Sequence, residues 1–163
     1  PVLVPEYDII NQSSLDVQAT IEEWLWKVEA ICRSGQGRDF VAVSGGLEYS
    51  FFGIIGNAGD LGIIVEYHFD DRDSFAPATL HDNDFFFGTR IALNDVDNTD
   101  FIAGVLIDQH TLARSFTIEA KRRLTDHWTL EGELRITNGL TDKDPIYSVR
   151  RDDHLQIRAT YHF

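Results

Sequence analysis

Apolar and polar residues alternate one by one along most of this chain, and helical spacing almost never appears. In the last residues Leu155, Ile157, Ala159, Tyr161 and Phe163 point one way, while His154, Gln156, Arg158, Thr160 and His162 point the other. The same period, bounded by turn residues, predicts strands near 14–21, 23–33, 39–53, 60–70, 84–94, 100–109, 113–124, 127–138 and 152–163. Their connections fall into two kinds that alternate along the chain. Short ones are Glu22-Glu23, Gly56 to Gly59, Asp95 to Thr99 and Thr125-Asp126; longer or more charged ones are Ser34 to Arg38, Asp71 to Asn83 and Asn138 to Arg151. Gln109-His110-Thr111 is the exception, short where a long connection is due. The pattern is that of an all-β antiparallel meander with its turns sorted to two ends.

The predicted faces are chemically distinct. One carries Trp24, Trp26 and Val28, then Leu47, Tyr49 and Phe51, Val65 and Phe69, Phe85 and Phe87, Ile118, and Trp128 and Leu134. The other carries Lys27, Glu29, Glu48, Glu66, Arg90, Glu119, Lys121, Arg123, Glu131, Glu133, Arg135 and Arg158, with both signs interspersed. Alternation alone does not say which face is inside, and a soluble lipocalin-like barrel would turn the apolar one inward. Two features turn it outward. Aromatics crowd the strand ends (Trp24, Trp26, Tyr49, Phe69, Phe85, Trp128, Tyr161, Phe163), as an interfacial girdle requires. The even mixture of signs on the other face suits pairing around a lumen better than a solubilising coat.

No apolar run approaches the ~20 residues of a transmembrane helix, but membrane strands need only ~9–11 residues each. The net charge of −13 argues against a nucleic-acid partner, and the single Cys32 excludes an internal disulfide and a multi-cysteine zinc site. The opening Pro1-Val2-Leu3-Val4-Pro5 has no initiator Met, basic region or apolar leader, so the chain reads as a mature or trimmed product.

A terminal strand closing on Phe163 resembles the Gram-negative outer-membrane β-barrels, whose assembly machinery reads such a strand. A narrower resemblance runs over residues 40–163. Gly46-Leu47-Glu48-Tyr49-Ser50-Phe51, Asp60-Leu61-Gly62-Ile63, Asp70-Asp71-Arg72, Gly88-Thr89-Arg90-Ile91-Ala92-Leu93-Asn94-Asp95 and Glu119-Ala120-Lys121-Arg122-Arg123-Leu124 look like the C-terminal part of a family of uncharacterised, longer proteobacterial outer-membrane proteins. The resemblance implies a transmembrane barrel in the bacterial outer membrane, with lipid, lipopolysaccharide and the barrel assembly machinery as partners, and names no substrate. Bacterial single-chain barrels have even strand numbers. Nine strands therefore imply either a tenth within Pro1 to Asn11 or missing N-terminal strands; the second is expected here, with residues 1–13 a remnant and 14–163 the barrel strands.

Catalytic motifs are absent: there is no Gly-x-Ser-x-Gly, His-Glu-x-x-His, phosphate loop or Cys pair, and no cofactor is expected. Acidic and imidazole groups gather at one predicted rim, His68, Asp70, Asp71 and Asp73 ending one strand and His81, Asp82 and Asp84 opening the next. Omptin proteases place Asp-Asp and Asp-His pairs at such a rim, but this chain has the residue types without the motif, and no enzyme activity is expected. Asp70, Asp71, Asp82 and Asp84 could supply oxygen ligands to a weakly held divalent cation. The inward charges either line a water-filled pore or pair across a filled interior. The expected function is a porin-like passive channel for ions or small polar solutes; the alternatives are a structural or adhesive barrel, or the lipocalin-like ligand binder.

Overall fold

A computed structural model describes residues 7–56 and 58–163. Period-2 sequence becomes nine strands: β1 (Asn11–Ile21), β2 (Trp24–Ser34), β3 (Phe40–Ile55), β4 (Gly59–Asp70), β5 (Asn83–Ala92), β6 (Asp100–Asp108), β7 (Arg114–Arg123), β8 (Trp128–Asn138) and β9 (His154–Tyr161). They form one antiparallel sheet in strict sequence order, β1 to β9. Only one 3₁₀ turn, Tyr147–Val149, is helical among the described residues, and no helix is long and apolar enough to cross a membrane.

The register confirms the alternation strand by strand. Val17↔Val28, Trp26↔Leu47, Leu47↔Val65, Val65↔Phe87, Phe87↔Val105, Val105↔Phe116, Phe116↔Ile136 and Leu134↔Leu155 are direct partners, so one apolar surface runs unbroken over the whole sheet. It has no second layer over it: Trp26, Phe87 and Ile157 are 48%, 45% and 69% exposed. The sheet curls the other way. A concavity of about 570 Å³ spans β5 to β9 on the charged face, lined by Arg90, Ile102, Glu119, Lys121, Glu131 and Arg158.

Glycine makes room on that concave face at two places where a side chain lies flat on the sheet. A Cβ on Gly62 would stand 2.6 Å from Glu48 Oε1, and one on Gly104 would stand 2.4 Å from the Phe86 ring. Glu48 therefore reaches across β4 to Arg90 on β5, at 2.5 Å, and Phe86 lies against β6. Near the open end, Phe40 is buried beneath the Arg33 and Arg72 guanidinium groups, 5.7 and 4.9 Å from its ring centre.

Two sequence expectations are corrected. Asn11, Gln12 and Ser13 belong to β1 and not to an N-terminal remnant; pairing with Ser34, Arg33 and Cys32, and a 2.8 Å bond from Arg33 to Gln12, hold this polar stretch in the sheet. Turn lengths do not alternate strictly either. The β5–β6 connection, residues 93–99, is longer than the β2–β3 and β6–β7 connections at the opposite end. Asp95 accounts for it, accepting hydrogen bonds from the backbone N–H and hydroxyl of Thr99 at 2.8 Å each and so closing the turn without further ladder pairs. The nine-stranded sheet is open. β1 and β9 are its edges, both running the same way, and they do not pair with each other. Val2, Leu3 and Val4, a possible strand remnant, lie outside the described residues.

Candidate functional site

The inward charges are positioned by strand parity, and register decides who meets whom. Lys121 pairs with Glu131 at 3.2 Å, Arg158 with Glu131 at 3.9 Å, Arg135 with Glu133 at 2.5 Å and with Glu119 at 4.0 Å, and Arg90 with Glu48. They fall into two groups, Glu48–Arg90 spanning β4 from β3 to β5, and the others linking β7, β8 and β9, with Arg135–Glu133 inside β8. Glu66 contacts His68 at 3.8 Å. Lys27 and Glu29 make no ion pair among the described residues. Arg123 shares the face of Glu119 and Lys121 by register, and its guanidinium donates to the Val96 carbonyl in the β5–β6 turn. Arg122, on the apolar face by register, was not anticipated at all; it binds Asp95 and Asp97 at 3.3 and 2.7 Å beyond the strand end.

The girdle aromatics group at two heights on the apolar face. At the short-turn end Trp24 meets Tyr49 at 4.7 Å and Trp26 at 5.9 Å, while Trp128, Tyr161 and Phe163 form a second cluster at 5.1 and 5.3 Å. At the other end Phe85 packs on Tyr67 at 4.7 Å, whose hydroxyl donates to Asn83, and Phe69 lies one strand across from Val43.

The rim acids divide into two groups. Arg72 grips Asp70 through Nε at 2.8 Å and Nη2 at 2.5 Å, and Asp71 accepts from the Val41 N–H at 2.7 Å and from Arg38 at 3.4 Å. The Asp70 carboxylate raises the Arg72 pKa, and backbone N–H groups of Arg38 and Phe75 hold Asp73 below its ordinary value. Asp70 and Asp71 are thus committed to arginines, and although the Asp70 N–H donates to the Asp82 carbonyl at 3.0 Å, their carboxylates do not converge with those of Asp82 and Asp84. The ligand atoms that converge, within 4.8 Å of one another, are those of Asp82, Asp108 and His110. Asp108 is a charged-face residue by parity, but neither it nor His110 was expected among the ligand atoms, although a hairpin centred on Val96 places Asp84 and Asp108 opposite each other.

This second group borders a cavity of about 500 Å³ roofed by residues of the β4–β5 and β8–β9 connections, with Leu106, Leu140, Pro145 and Ile146 among its walls. The roof is pinned where Thr111 donates to Asp144 at 2.9 Å. Burial pushes the Asp144 carboxyl up, but hydrogen bonds from the Thr141 N–H and hydroxyl and from Thr111 outweigh it and leave the pKa below the usual value.

Set against protein-family models, curated proteins and solved structures, the chain finds no match in any of the three.

Proposed function

We propose that this chain forms the wall of a β-barrel in a bacterial outer membrane, serving as a porin-like passive path for ions or small polar solutes. The observation that carries the reading is the direction of curvature: the concave side is the charged one, and the continuous apolar surface is convex and uncovered. A soluble ligand-binding barrel needs the reverse. An apolar surface of this extent, ringed by aromatics at two heights, matches the outward band of a membrane barrel. The two groups of ion pairs support an open interior, because charges neutralised along their own wall need no partner across the lumen. Closure in an antiparallel sense takes an odd number of further strands between β9 and β1, since those two run in the same direction.

Planar-bilayer recording of the purified protein tests the proposal. Stepwise conductance is expected. A heat-modifiable membrane protein with no conductance would favour the structural or adhesive barrel, and a monomer soluble without detergent would overturn the orientation altogether.

A further inference from the structure

The cavity at the rim differs from the rest of the concave face in how its acids are answered. Along the wall, Glu48, Glu131 and Glu133 each meet an Arg or Lys nitrogen, as Asp70 does nearby. At the cavity no Lys or Arg nitrogen lies within 4.0 Å of Asp82, Asp84 or Asp108 among the described residues; Asp82 has His110 at 3.4 Å and Asp84 has His81 at 3.9 Å. Asp84 and Asp108 face each other directly across β5 and β6, a like-charge pairing that costs stability in a sheet. The Asp84 side chain is only 4% exposed, and its Oδ2 accepts from the Asp82 N–H at 3.0 Å. Three Lys or Arg residues reach the lining without pairing with these acids: Arg135 is held by Glu133, Lys143 sits on the exposed 139–153 connection, and Arg114 opens β7.

The walls decide what kind of cation fits. Leu106 on β6 and Leu140 and Ile146 of the roof give the cavity an apolar side, and about 500 Å³ far exceeds a bare ion. We infer that this rim cavity binds a small organic cation, an ammonium group on a short apolar body, with the ammonium against Asp82, Asp84 and Asp108 and the body against Leu106, Leu140 and Ile146. Asp108 already accepts from the N–H groups of His110 and Thr111, and Asp84 from that of Asp82, so what the ammonium supplies is the positive charge that none of the three has from a Lys or Arg, while the body removes apolar wall from water. This deepens the proposed channel by giving its mouth a solute class; it rests on the concave face being open to solvent, not on conduction.

The probe is hexylammonium, titrated calorimetrically into the protein purified in a maltoside detergent, with hexanoate, hexan-1-ol and calcium as comparisons. Saturable hexylammonium binding is expected, with hexanoate silent. Asp84→Asn should weaken it about tenfold, roughly 1.4 kcal/mol. That variant is isosteric, keeps an acceptor for the Asp82 N–H and removes a buried charge, so its fold is expected to hold. Asp82→Asn, at a more exposed position, provides the same reading independently. Leu140→Gln should weaken hexylammonium while leaving methylammonium unchanged. Equal binding of hexan-1-ol, no loss in either Asp variant, or calcium binding that hexylammonium does not displace would overturn the inference, the last in favour of a metal site at Asp82, Asp108 and His110. Absence of conductance would leave the binding result standing and sink only the channel.

Discussion

Gly62 and Arg90 show how a single position on the concave wall is constrained. The Glu48 side chain is 11% exposed and lies over Gly62 with its carboxylate on Arg90. Replacing Arg90 with Met should strand that carboxylate and cost about 2–4 kcal/mol in denaturant unfolding, whereas the double change with Glu48→Gln should cost less than the two single changes together. Gly62→Val should displace Glu48 and destabilise by a comparable path, without touching either charge. Leu112 points the opposite way. Its φ of 60° is left-handed and its side chain is 64% exposed, so Leu112→Asn gives up little burial and should raise stability by up to about 1 kcal/mol. Arg90 and Glu48 were both legible as inward residues from parity; that they meet was not, because 42 positions separate them and only the shared register of β3, β4 and β5 brings them together.

Strands are where the sequence was most readable, since a half-buried strand must alternate and this one does so nine times. Asn11 to Ser13 were missed for the converse reason: a polar stretch at an edge carries no period, and backbone pairing with β2 holds it. The connections were read less well. Asp95 and Asp108 each close a turn with side-chain acceptors, Asp108 taking the N–H of His110 at 2.6 Å and of Thr111 at 3.0 Å, which is why the 109–113 connection stays short at an end where longer ones are the pattern. The convex assignment of each strand makes a graded prediction. Arg placed at Val65, Phe87, Ile118 or Leu134 should cost about 2–4 kcal/mol of membrane folding and reduce insertion, while Glu119→Arg should insert normally. Glu48→Arg is no neutral control, for it would set two cations side by side with Arg90. Equal insertion of all these variants would dissolve the distinction between the faces. Phe163→Ser at the end of the last strand removes a ring packed 5.3 Å from Tyr161, and heat-modifiable protein in the membrane fraction should fall sharply.

At the scale of the whole molecule, three turn carboxylates, two at the loop end and one at the short-turn end, respond to acid in the same direction. Asp73, Asp95 and Asp144 all have carboxyls held below their ordinary pKa, by backbone N–H donors at Asp73, by Thr99 at Asp95, and by Thr141 and Thr111 at Asp144. A depressed folded-state pKa contributes stability that is complete above the unfolded value, about 3.9, and disappears as pH falls through the folded one. Thermal unfolding should therefore be flat from neutrality to about pH 5 and drop below about pH 4, with a shallower drop in Asp73→Asn. The wall charges, paired among themselves, give the interior no single sign. Neutralising Arg90 and Arg135 together should shift reversal potential towards cations, at a stability cost set mainly by Glu48.

The bridge from Glu48 over Gly62 to Arg90 also bears on how the sheet finds its alignment during assembly. A slip of one residue between β3 and β4, or between β4 and β5, would swing one of the two charges onto the convex side, into the apolar surface and away from its counter-charge, and would bring a Cβ beneath the other. Misaligned hairpins are thus penalised within β3, β4 and β5 alone, which check their own pairing without help from either edge strand.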